Sequence, residues 1–123
     1  MKTIAIFGCG AAGKRAWLHL RSRYKIAAFL DNDAAKQGCR IGGVRVFNPA
    51  GYDYDKVDHV FIASMFVDEI LLQLLRLGVP SSKIEYVAPD DAVKHMVRSG
   101  GAPGLGPLHF LRRACYIPFR LLR

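Results

Sequence analysis

Apolar residues in this chain fall into short unbroken runs, separated by stretches where they return every three or four positions. Thr3 to Phe7 is the first run, suited to a buried strand and ended by Gly8. From Ala11 to about Arg23 the pattern predicts a helix. Ala12, Ala16 and Leu20 share a face with Trp17 beside them, while Lys14, Arg15, Arg21 and Arg23 fall largely away. Ile26 to Leu30 is a second strand, closed by Asp31-Asn32-Asp33, and a short helical stretch over Ala34–Gln37 is expected before Gly38. Ile41 to Phe47 reads as a small strand with a tight turn, ended by Asn48-Pro49.

Val57 to Ala63 is the next apolar strand. Ser64 is expected to cap the following helix, with Asp68 and Glu69 in its first turn, where the helix dipole favours negative charge. Val67, Ile70, Leu71, Leu74 and Leu75 make its apolar stripe, and Gly78 with Pro80 stops it. Lys83 to Val87 is a last strand, and Asp90 opens a short helix that runs out by Ser99.

Strands that are apolar throughout need a sheet covered on both faces, which parallel strands with crossover helices supply. The expected fold is therefore α/β: a doubly wound, mostly parallel sheet of about five strands in the order 3-2-1-4-5. Its body would be residues 1–99, followed by a Gly/Pro linker at 100–106 and a tail at 107–123. The whole chain has 123 residues, the length of one domain of roughly 100–200 residues. That leaves no room for both a full dinucleotide-binding domain and a separate catalytic one.

Charge singles out the tail. The net charge is +8, and residues 100–123 carry Arg112, Arg113, Arg120 and Arg123 with no acid. Wound at about 3.6 residues per turn, 108–123 gathers those arginines with His109 and Tyr116 into one arc and leaves a wide apolar face. Pro107 suits a first helical position and Pro118 a kink. Such an amphipathic helix would lie on an anionic membrane surface or pack on its own domain or a second subunit. A nucleic-acid role ranks last, because no recognised binding motif accompanies the basic residues. Cys9, Cys39 and Cys115 form no CxxC pair and no metal-ligand cluster with the scattered histidines, so no metal is expected. The sparse, odd cysteine count and the lack of a long apolar run point to a cytoplasmic protein, with peripheral contact at the inner membrane surface through 107–123 as an option.

The candidate chemistry lies at the first glycine cluster. Gly8-Cys9-Gly10-Ala11-Ala12-Gly13 is a G-x-G-x-x-G placed after a strand and at the start of a helix, where its mechanism requires it. Gly8 would allow the turn, Gly10 the approach of a pyrophosphate, and Gly13 close packing of helix on strand. Asp31 ends the second strand 23 positions after Gly8, near the spacing of roughly 20 for a carboxylate that accepts from ribose hydroxyls. Asp31 would repel a 2′-phosphate, which favours NAD or a nucleoside diphosphate over NADP, an exclusion that Lys14 and Arg15 weaken. Asn32 follows Asp31, and Ser64 and Met65 close the fourth strand beside the first, where the strand order reverses and ligands lie. A glycine turn serving packing alone, with Asp31 as a solvated strand end and Ser64 as a helix cap, is the alternative.

The glycine loop, Asp31-Asn32-Asp33, Ile41-Gly42-Gly43-Val44, Ile62-Ala63-Ser64-Met65 and Gly78-Val79-Pro80, in that order, give the chain a likeness. It resembles the small Rossmann-type domain preceding the catalytic part of bacterial nucleotide-sugar dehydratases and epimerases of surface-polysaccharide synthesis. It is also similar to the amino-terminal domain of nucleotide-sugar acetyltransferases. The resemblance covers roughly residues 2–88 and implies that Gly8, Gly10, Gly13 and Asp31 hold NAD or a UDP-sugar. The catalytic partner domain of those enzymes does not follow, so catalysis is not carried over. The expected activity is thus a nucleotide or nucleotide-sugar binding module of glycan biosynthesis, working with a partner enzyme or as a homodimer. The alternatives are an NAD-dependent oxidoreductase or epimerase completed by oligomerisation, and a membrane- or partner-docking scaffold.

Three further residues invite chemistry and lack its context. Tyr52 and Lys56 form a Y-x-x-x-K, but in an acidic turn before the fourth strand rather than on a long helix after it. Cys9, near a helix N-terminus, sits where a thiol pKa can fall, though a packing role is the simpler expectation. His59 is expected as a hydrogen-bonded core histidine.

Overall fold

The central strands of the body are apolar because their side chains alternate between two covered faces. A computed structural model describes residues 1–88 and 116–118. The elements are β1 (Thr3–Phe7), α1 (Ala11–Leu20), β2 (Lys25–Leu30), β3 (Arg40–Ile41), β4 (Val44–Phe47), β5 (His59–Ile62), α2 (Val67–Arg76), β6 (Ile84–Ala88) and β7 (Tyr116–Pro118). Ile4 and Ile6 of β1, Phe29 of β2 and Phe61 of β5 pack with Ala16 and Leu20 of α1. Ala5, Phe7, Ala28, Leu30, Val60 and Ile62 form the other cluster with Ile70, Leu71 and Leu74 of α2. One helix covers each face, so β1, β5 and the end of β2 bury both their odd and their even positions.

The sheet has seven strands in the order β3-β4-β2-β1-β5-β6-β7. All neighbouring pairs are parallel except the hairpin β3–β4. Its central part, β4-β2-β1-β5-β6, is the expected 3-2-1-4-5 order, in a Rossmann-like α/β fold. The expected third strand is in fact two, because Gly42 and Gly43 both take positive φ and reverse the chain between Ile41 and Val44. Gly42 lies flat under the Trp17 ring of α1, where a Cβ would overlap the indole. The hairpin and the first helix are thereby locked together.

Several boundaries differ from expectation for local reasons. Helix α1 ends at Leu20 rather than Arg23, because the N–H groups of Arg23 and Tyr24 both turn back to the Leu20 carbonyl. No helix forms over 34–37. There Asp33 Oδ1 accepts from the Ala35 N–H at 3.0 Å and Gln37 donates to the Asp31 carbonyl at 2.9 Å, so side chains satisfy the backbone in turns instead. Leu75 is exposed, leaving Ile70, Leu71 and Leu74 as the buried stripe of α2.

In the tail, Tyr116–Pro118 is extended and pairs parallel with β6, which corrects the expected helix over those three residues. The paired edge of β6 supplies backbone partners, and proline is tolerated on an edge strand. The rest of 107–123, the linker at 100–106 and the helix expected from Asp90 lie outside the described residues. Among the described residues no helix is long and apolar enough to cross a membrane.

Candidate functional site

β1 delivers the chain to the switch point between β2 and β5, where Gly8 turns it at φ +111°. A Cβ on Gly8 would stand 2.5 Å from the Ala63 carbonyl oxygen at the end of β5. Its N–H donates to the Leu30 carbonyl at 2.7 Å, which draws the end of β2 to the same point. At Gly13 a Cβ would overlap the Gly8 carbonyl, so α1 rests directly on the loop it follows. Both glycines are spent on packing. Gly10 differs: its φ of −80° suits any residue, and a Cβ there would meet nothing within 4 Å. It is the N-cap of α1, with no capping side chain and no acidic residue in the first turn. The first-turn N–H groups of the helix therefore open towards the cleft without a capping side chain of their own.

Asp31 faces this opening from the end of β2. Its Oδ2 accepts from the Cys9 N–H at 3.1 Å and the Cys9 thiol at 3.1 Å, and its Oδ1 accepts from the Asp33 N–H at 2.9 Å. Burial alone would raise the pKa of this carboxyl. The donors from Asp33 and Cys9, with the charge of Lys36, outweigh it and hold Asp31 below its ordinary 3.8. A carboxylate offers about four acceptor positions, so an incoming hydroxyl finds room beside the three bonds already made.

Cys9 is fixed by the same arrangement. Burial, and then the bond to Asp31 and its charge, push the thiol up to about 12. The thiol is a donor that aims the carboxylate, not a nucleophile. Ser64 is likewise local: its Oγ accepts from the Phe66 N–H at 3.1 Å, whereas α2 is capped at Phe66 without a side-chain bond. The expected cap is a tight turn ahead of the helix instead.

Between these elements lies an open cleft of about 590 Å³, within the roughly 300–1,000 Å³ of small-molecule sites. Of the residues expected at the site, Gly8, Gly10, Ala11, Ala12, Asp31, Asn32, Ser64 and Met65 line it, while Cys9 and Gly13 are buried behind the wall. Sequence reasoning did not anticipate Lys36, Phe66, Glu69, Ile70 and Gln73, which line it too. Lys36 sits on the loop after Asp31, with only its charge as a signal. Asn32 and Gln73 are joined by two reciprocal amide hydrogen bonds of 2.8 Å that tie the end of β2 to α2.

The other candidates stand apart from the cleft. Tyr52 packs between the rings of Phe47 and Tyr54, and its pKa is raised by burial and by Asp53. Lys56 lies in a short 3-10 turn and is exposed, so this pair forms no proton-transfer site. His59 is half-buried at the start of β5, 3.8 Å from the Glu85 carboxylate, and its Nδ1 has no hydrogen-bond partner; the expected bonded core histidine is corrected. Among the described residues no group of His, Cys, Asp and Glu could hold a metal ion.

The fold has solved counterparts. UDP-D-quinovosamine 4-dehydrogenase from Vibrio fischeri superposes with a TM-score of 0.54 at 22% identity, over 76% of this chain and 84% of that one. RSP, a Rex-family repressor, superposes with a TM-score of 0.56 at 16% identity, over 87% of this chain and 62% of that one. RSP in complex with beta-NAD+ and operator DNA gives 0.56 at 15% identity, over 93% of this chain and 62% of that one. The chain thus spans less than two thirds of the repressor. No curated protein matches the sequence. Residues 1–85, which include the glycine loop, Asp31 and the whole cleft lining, match the family model described as C2185-like, N-terminal, and the chain belongs to that family.

Proposed function

We propose that the cleft binds a nucleotide carrying a diphosphate, NAD or a UDP-sugar, and that the chain is a nucleotide or nucleotide-sugar binding module of surface-glycan biosynthesis. The observation that carries this reading is the pairing of two features side by side in one cleft. The uncapped N-terminus of α1 at Gly10 faces open space, and the ionised Asp31 stands beside it, bonded to Cys9. Amide donors and the helix dipole suit a diphosphate, and a carboxylate suits a ribose hydroxyl. The dehydrogenase and the NAD-bound repressor lend support, since their names carry a UDP-sugar and NAD.

The residues fit such a ligand. The diphosphate would lie against the backbone of Gly10, Ala11 and Ala12, Asp31 would accept from the ribose, and Lys36 would offset phosphate charge. The module is read as acting with a partner or a second copy. The basic residues of 107–123 outside β7 are proposed as a tether.

Calorimetry with NAD, NADP, UDP and a UDP-sugar tests the proposal. Saturable binding of NAD or the UDP-sugar, with NADP weaker, is expected. Failure of all four to bind at about 1 mM, which corresponds to roughly −4 kcal/mol, would remove it.

A further inference from the structure

Resting on the nucleotide reading, we infer that Gln73 is the base-recognising residue of the cleft and that Asn32 holds its carboxamide in place until a nucleobase takes over. Asn32 follows Asp31 in the chain, so a base attached to a ribose held at Asp31 must lie close to Asn32 and α2. The lining there has the two things a nucleobase needs. Met65 and Phe66 stay 82% and 65% exposed at the rim, and Ile70 is buried behind them, giving apolar surface for the flat faces of a ring. The Asn32–Gln73 pair gives an edge with one donor and one acceptor side by side.

The two amides satisfy each other in a closed ring of two bonds, each of 2.8 Å. A base edge with an adjacent donor and acceptor can replace one amide in that ring without loss of a hydrogen bond, as carboxamides do with adenine. Gln73 is the partner that stays: it is half-buried on a helix anchored by Ile70 and Leu74, whereas Asn32 is exposed on a loop. The ligand class is therefore a nucleotide whose base presents such an edge, as adenine and uracil, the bases of the two proposed ligands, both do.

The test compares NAD with 1,N6-etheno-NAD, and UDP-glucose with its N3-methyluracil analogue, on the full chain and on Asn32→Ala and Gln73→Ala. Each analogue blocks the edge and keeps ribose and diphosphate. The full chain should prefer one unmodified ligand over its analogue by about tenfold or more, and the ligand that does so identifies the base. Asn32→Ala should keep that preference, and Gln73→Ala should bind both members of the pair alike. Because both ligands report on the same folded molecules, the ratio is independent of any loss of stability. An equal ratio in all three proteins, or a preference lost in Asn32→Ala and kept in Gln73→Ala, overturns the inference and leaves nucleotide binding standing. If no member of either pair binds the full chain, the proposed function falls and this inference with it.

Discussion

Asp31 is the acceptor on which the loop geometry turns, and Cys9 is the residue that aims it. With one oxygen taken by the Cys9 N–H and thiol and the other by the Asp33 N–H, the carboxylate cannot rotate freely. Its pKa is depressed in the folded chain, so its stabilising effect is present above the ordinary value of 3.8 and is lost as pH falls through the lower folded value. Nucleotide affinity should accordingly show no Asp31 titration between neutrality and pH 4, as calorimetry across that range would check. Cys9 runs the other way. Its folded pKa of about 12 exceeds the ordinary 9.0, so its contribution is complete below pH 9.0 and disappears as pH rises through about 12. At pH 8 iodoacetamide should therefore label the exposed Cys39 and spare Cys9 in the folded protein, a pattern that peptide mass mapping reads directly. Equal labelling of the two would show that the thiol is not held as described.

At the scale of elements, the two ends of the glycine loop answer to different demands. Gly13 is pressed against the Gly8 carbonyl, and Gly10 borders open space. Gly13→Ala should lower stability by about 1–3 kcal/mol, the usual cost of overpacking, and denaturant unfolding would measure it. Gly10→Ala should cost stability only about 0.5–1 kcal/mol, as alanine is a poorer N-cap than glycine, and weaken nucleotide binding. This division explains what the sequence disclosed. The five central strands were legible because buried parallel strands are apolar on both faces, and the loop was legible because glycine has few other reasons to recur at that spacing. The tight turn at Gly42-Gly43 was legible from its paired glycines, while the strands on its two sides were counted as one, since two short paired strands leave the same apolar run as one. The turns at 34–38 and before α2 were missed because Asp33, Gln37 and Ser64 compete for backbone groups that a helix would otherwise use. Gln73 left no signal, because its partner lies 41 positions away and only the fold brings them together.

For the whole molecule, the sheet order places the ends of β1, β2 and β5 around one cleft and leaves the hairpin and β7 at opposite edges. A family model that covers residues 1–85 takes in every cleft-lining residue. If the cleft is the ligand site, removal of the residues after β7 should leave nucleotide affinity unchanged while weakening any flotation with anionic vesicles, because two of the tail's four arginines go with them. Truncation after Pro118 keeps β7 and removes Arg120 and Arg123, so flotation and calorimetry on that variant separate the two roles. The central claim is that a diphosphate sits at the mouth of α1, and amide chemical shifts of the full chain titrated with NAD and with UDP-glucose test it most directly. The account predicts saturable shifts concentrated at Gly10, Ala11, Ala12 and Asp31 for at least one ligand. Shifts that avoid those amides, or none at all, would contradict it.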